Sequence, residues 1–190
     1  MSNIIKDAVT LFLITLISGF ALGAVHEITL EPIAQAKIAA ASETYREVYP
    51  DADSFGYDDA LSAAVKSAEA DISAKFEKVS VDDALVAKDA SGNVIGYVIM
   101  ATSGEGYNGD VQISVGITND GTITGLGFLS ISETPGLGMK ATEPEFRSQF
   151  PGMTASEDIE INGISGASHT SGAVTSALRA ASYFVANCIG

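Results

Sequence analysis

Ala8 to Val25 reads AVTLFLITLISGFALGAV, eighteen consecutive residues without a charge. A run of that length and polarity fits a helix in hydrocarbon, because about twenty apolar residues cross a core ~30 Å thick. Ile4 and Ile5 extend it. The sequence therefore predicts a membrane anchor over residues 1–26. The competing reading is a cleaved signal peptide, with Ala21-Leu22-Gly23 as a loose small-residue cleavage site. Against it, Lys6 is offset by Asp7 and the run exceeds a typical signal core. Lys6 and the amino terminus favour an N-inside orientation, which puts the bulk of the chain on the outer face. No ionisable group lies between Asp7 and His26, so the run itself holds no intramembrane charge.

The remainder is long enough for one domain with a real core. Ten basic residues against 24 acidic ones give a net charge of −14, which excludes nucleic acid as a partner class. Cys188 is the sole cysteine, which rules out an internal disulfide and a four-thiolate iron–sulfur cluster. His26 and His169 are too few and too far apart to suggest a metal site. The acidic stretch that begins at Asp51 lacks the terminal glutamate of an EF-hand loop, with Ser62 at that position. No metal is expected.

Pro32 suits the first turn of a helix carrying Ile33, Ala36, Ala40, Thr44 and Val48 near one face and ending at Pro50. A second helical stretch begins at Asp58-Asp59 and reaches Ala70. From Val79 the pattern changes to strands. Ala84–Ala87 and Val94–Ile99 flank Ala90-Ser91-Gly92-Asn93, and Val111–Ile117 and Thr122–Leu126 flank Asn119-Asp120-Gly121; both are hairpin signals. The expected fold is α+β, an antiparallel sheet flanked by helices. Residues 27–78 form a helical connecting region and 79–190 the principal domain. Tyr107, in the glycine-rich loop between the hairpins, is a candidate to stack on a planar ligand.

Two loop motifs carry the chemistry. In INGISGASHTSGAV, from Ile161 to Val174, Val174, Leu178, Ala181 and Val185 recur at helical spacing, so a helix runs from about Thr170 to Asn187. Its first turn offers free N–H groups and the positive end of the dipole to a phosphate carried by Ser168 or Thr170. The alternative is that Ser165, Ser168 or Thr170 merely caps the helix. The second motif is SETPGLGMK, Ser132 to Lys140, where glycines allow positive φ and close approach of a ligand. A tight Pro-Gly turn is its plain structural reading.

Together the two motifs resemble the FMN-binding domain of the G subunit of Rnf-type ferredoxin:NAD oxidoreductases. They are also similar to the C subunit of the sodium-pumping NADH:quinone oxidoreductase. The resemblance covers nearly the whole chain, the single anchor included. It implies that Ser168, the last residue of SGA(T/S), carries FMN through a phosphoester bond made by a separate flavin transferase. It implies flavin contacts from Ser165, Gly166, Ala167, Thr170 and Ser171 on one side. On the other it implies Glu133, Thr134, Gly136, Leu137 and Gly138, with Lys140 as a partner for negative charge. Where the family usually has Asp, this chain has Asn162, and it has Ser168 where Thr is commoner. The implied function is electron transfer within a membrane redox complex, with other subunits and lipid as partners. There is no GxGxxG between a strand and a helix, so no nicotinamide site is expected and the chain alone is not expected to be catalytic. A stand-alone extracytoplasmic flavoreductase and a non-catalytic binding module are the alternatives.

Overall fold

A computed structural model describes residues 2–189; the side chains at 2–5, 21, 23–35 and 37 lie outside the described set. The chain divides into two compact units, 1–40 and 41–190. Helix α1, Ser2–Val48, supplies all of the first unit and enters the second. Among the described residues no helix is long and apolar enough to cross a membrane. Part of the run expected to form the anchor, Ala21 and Gly23–Val25, falls outside the described side chains, as does the helix start expected at Pro32.

The second unit is built on a five-stranded antiparallel sheet in the order β1-β2-β3-β4-β5, a simple meander. Its strands are β1 (Ser54–Gly56), β2 (Val79–Lys88), β3 (Val94–Ser103), β4 (Val111–Thr118) and β5 (Ile123–Ser130). Both predicted hairpins are present, β2–β3 and β4–β5. In the first turn Asp89 accepts the N–H groups of Ser91 and Asn93, and Gly92 adopts φ 83°. The short edge strand β1 lies within the acidic Asp51-to-Asp59 stretch, where the sequence predicts no strand. Three residues pairing from Ser54↔Lys88 to Gly56↔Val86 are too few to show a periodicity.

Helices α2 (Asp59–Lys75) and α4 (Ser168–Cys188) cover one face of the sheet, with α4 running against β2, β3 and β4. Period-2 alternation sends Val111, Ile113, Val115 and Ile117 of β4 into this layer. There they meet Ala173, Val174, Ala177, Leu178, Ala181 and Phe184 of α4 in one core cluster. Each fully buried large aliphatic or aromatic side chain there contributes about 1.5–3 kcal/mol. The opposite face is closed differently. Gly96, Gly116, Gly125 and Gly127 leave it nearly flat, and the end of α1 lies directly on it. A Cβ at Gly125 would stand 2.9 Å from the Val48 Cα, and one at Gly127 2.9 Å from the Val48 Cγ1. Tyr49 then donates to the Ile95 carbonyl at 2.7 Å, and Tyr45 to the Met100 sulfur at 3.2 Å.

Strand β5 delivers the chain into the Ser132–Gly138 loop, a 3-10 turn (Gly138–Thr142) and the single-turn α3 (Pro144–Arg147). An irregular segment then returns to α4. One loop motif thus follows the last strand of the sheet, and the other leads into the helix that covers it.

Candidate functional site

Helix α4 begins at Ser168, two residues before the expected start, and its cap residue is Ala167, which makes no side-chain cap bond. The capping role considered for Ser165, Ser168 or Thr170 is therefore not what the geometry shows. Ser171 does the local work instead. Its buried hydroxyl accepts the Ile164 N–H at 2.8 Å and donates to the Ala167 carbonyl at 3.0 Å. These bonds tie the turn to the helix that follows. Gly166 supplies φ 81° within that turn. Ser168 and His169 are left exposed, while Thr170 and Ser171 are buried.

The second motif meets this turn. A cleft of about 390 Å³ is lined on one side by Gly166, Ala167, Ser168, His169 and Thr170, and on the other by Glu133, Thr134, Leu137 and Gly138. Tyr107 completes the rim. The two walls approach closely: a Cβ at Gly138 would lie 2.5 Å from the Thr170 hydroxyl. Gly136, at φ 76°, provides the turn that brings Leu137 round. Tyr107 is 71% exposed and Leu137 44%, so two large apolar side chains stand in solvent at the mouth of one cleft.

Not every predicted residue lines that space. Ser165, exposed in the turn, Ser171 and Gly136 do not line it. Lys140 lines a neighbouring groove with Glu143, Phe146, Gln149, Asn162 and Gly163. There Asn162 is held through its backbone, donating its N–H to the Gln149 side chain at 2.7 Å. Sequence reasoning gives His169 a plain neighbouring role beside Ser168, and its ring lies 6.2 Å from that of Tyr107 at a tilt of 44°. Cys188 stands at the far end of α4 from the cleft; burial, then the charge of Asp71, pushes its thiol pKa up. Among the described residues no His, Cys, Asp and Glu cluster suited to a metal is present.

A family profile described as an FMN-binding domain matches residues 106–182, a span that holds every residue lining this cleft. The G subunit of the Na(+)-translocating ferredoxin:NAD(+) oxidoreductase complex of Acetobacterium woodii is 30% identical over 188 residues, 93% of this chain and 88% of that protein. Its counterpart in the Proton-translocating ferredoxin:NAD(+) oxidoreductase complex of Clostridium ljungdahlii is 31% identical over 192 residues, covering 93% and 92%. The chain belongs to this family of G subunits. Among solved structures, NqrC of Shewanella oneidensis is similar at a TM-score of 0.45 and 23% identity, covering 50% of this chain and 52% of that one.

The residues of the cleft fit an FMN. Its volume lies within the ~300–1,000 Å³ of ordinary ligand sites. The exposed Tyr107 ring offers a flat surface and Leu137 an apolar one, and the glycines at 138 and 166 admit a ligand close to the backbone. The helix start supplies an exposed hydroxyl beside first-turn N–H groups.

Proposed function

We propose that this chain is an electron-carrying subunit of a membrane-bound, ion-translocating ferredoxin:NAD oxidoreductase complex, with FMN joined to the Ser168 Oγ by a phosphoester bond. The observation that carries the reading is the start of α4. An exposed hydroxyl stands there at the first helical position, no side chain caps the helix, and the hydroxyl opens into the cleft built by both motifs. The names of the relatives, components of complexes that translocate sodium ions or protons, support the assignment to a complex.

Attachment is the work of a separate flavin transferase. The Ser168 oxygen would accept the FMN phosphoryl group from FAD, with the pyrophosphate bond broken to release AMP and the hydroxyl proton passing to the transferase. In this chain the first-turn N–H groups and the α4 dipole then stabilise the phosphodiester charge. Tyr107 and Leu137 would hold the ring system from the cleft mouth, with Thr134 and Gly138 lining the opposing wall. Lys140, one groove away, contributes positive potential rather than contact. When bound, the isoalloxazine supplies the redox chemistry and the protein supplies position and electrostatics. A tether keeps the cofactor at high local concentration on an outer face, where free flavin would be diluted away.

The uncharged run Ala8–Val25 anchors the domain to the membrane. Its support is a helix whose described residues expose Leu11, Phe12, Ile14, Ile17, Phe20 and Leu22 together, an apolar surface far larger than a water-soluble helix presents. The experiment is purification of the full-length chain from detergent-solubilised membranes after co-production with a flavin transferase. The reading expects a yellow protein whose flavin absorption bleaches on reduction and which carries partner subunits with it. A colourless chain, or one recovered without detergent, contradicts it.

A further inference from the structure

Tyr107 presents an unusual combination: an aromatic ring 71% exposed on a loop whose backbone is tied at several points. Gly104 donates its N–H to the Lys78 carbonyl at 2.8 Å. Glu105 accepts the Ser176 hydroxyl of α4 at 2.6 Å. At the tip, the N–H groups of Tyr107 and Asn108 converge on one oxygen of Glu133, at 2.7 and 3.3 Å, and the Asn108 amide reaches the Thr134 hydroxyl at 3.4 Å.

Glu133 is the centre of this arrangement. It is only 6% exposed, and no Lys, Arg or His pairs with it among the ion pairs of the described residues. A buried carboxylate without a cation is costly unless hydrogen bonds take up its charge. Here loop N–H groups do so. Glycines enclose it on both sides: a Cβ at Gly106 would stand 2.7 Å from one carboxylate oxygen, and a Cβ at Gly138 2.8 Å from the other. The glycine of one motif and the glycine of the loop both leave room for this one side chain.

We propose that Glu133 is a positioning residue for the flavin site: its buried carboxylate clamps the loop 104–109 so that the Tyr107 ring is held out, preformed, as one wall of the cleft. Preforming an exposed aromatic removes the ordering cost from the binding step. The clamp acts through backbone atoms, so the chemistry of residue 133 sets the position of a ring to which it is not bonded. The inference rests on the flavin assignment for its purpose, though not for its geometry.

The test has two arms on the full-length chain. In the first, amide exchange at Tyr107 and Asn108 is compared in wild type, Glu133→Gln and Glu133→Ala. Glu133→Ala is expected to speed exchange about tenfold or more at those two amides, the size of losing a hydrogen bond to a charged acceptor. Glu133→Gln, which keeps an acceptor oxygen, restores most of the protection. In the second, native flavin fluorescence is measured in Glu133→Ala, Tyr107→Leu and the double variant, because a stacked tyrosine quenches a flavin. Each single variant is expected to brighten the flavin, and the double variant to match Tyr107→Leu alone, the signature of two changes acting through one ring. Unchanged exchange at the two amides in Glu133→Ala, or brightening that adds on top of Tyr107→Leu, overturns the clamp. Should Glu133→Ala fail to fold, Glu133→Asp, whose shorter side chain withdraws the acceptor from both amides, takes its place, and unchanged exchange at Tyr107 and Asn108 in that variant overturns the clamp as well. Failure of the flavin assignment would show separately, as a wild-type chain without bound flavin whatever the exchange data say.

Discussion

The two helices that cover the sheet begin in opposite ways. Helix α2 is capped by a side chain: Asp58, in extended conformation, accepts the Leu61 N–H at 3.0 Å. Helix α4 has alanine at the same position and no side-chain cap, although serines and a threonine stand on both sides of it. A hydroxyl turned back onto its own helix would consume the donors that make a helix start attractive to phosphate. In the proposed function, the difference separates a start held by its own side chain from one left open to a phosphate.

If that is correct, α4 must draw its stability from elsewhere, and Leu178→Ala tests this most severely. Leu178 is fully buried in the cluster under β3 and β4, so its truncation is expected to cost about 2–5 kcal/mol in denaturant unfolding. Asp58→Ala should cost less, about 1 kcal/mol, by removing the α2 cap. The start of α2 is also held by Tyr57, whose phenol donates to Asp83 at 2.8 Å. Burial first, then that hydrogen bond, raises the Tyr57 pKa above its ordinary 10.0. A raised folded-state pKa gives stability that is complete below about pH 10 and is lost as the pH climbs toward the folded value. Unfolding midpoints should therefore fall in alkali, and Tyr57→Phe should flatten that fall. The smallest effect belongs to Ser165→Ala. With no cap bond to lose, it should leave stability within about 0.5 kcal/mol of wild type; a loss as large as that of Asp58→Ala would erase the contrast between the two helices.

Much of this architecture is written locally. Asn119-Asp120-Gly121 and Ser91-Gly92-Asn93 announce their hairpins because tight turns demand residues that tolerate unusual backbone angles. The period of Val174, Leu178 and Ala181 gives α4 directly. What is not local is not legible. Gly96, Gly116, Gly125 and Gly127 look like interruptions in their strands until the end of α1 is seen lying on them. The same holds at the site. SGAS and SETPGLG are visible as separate motifs, yet nothing in the spacing says that Lys140 falls into the next groove, or that Glu133 reaches back to the Tyr107 loop. Both depend on how a 3-10 turn and a long return segment bring distant stretches together, and sequence periodicity carries no record of that.

The most direct test of the central claim is the intact mass of the denatured full-length chain, co-produced with a flavin transferase, compared between wild type and Ser168→Ala. The account predicts a wild-type mass increased by one FMN less water, with flavin fluorescence that survives denaturation, and a Ser168→Ala chain that folds normally but carries neither. An adduct that persists in Ser168→Ala, or a wild-type chain with no adduct, would contradict it.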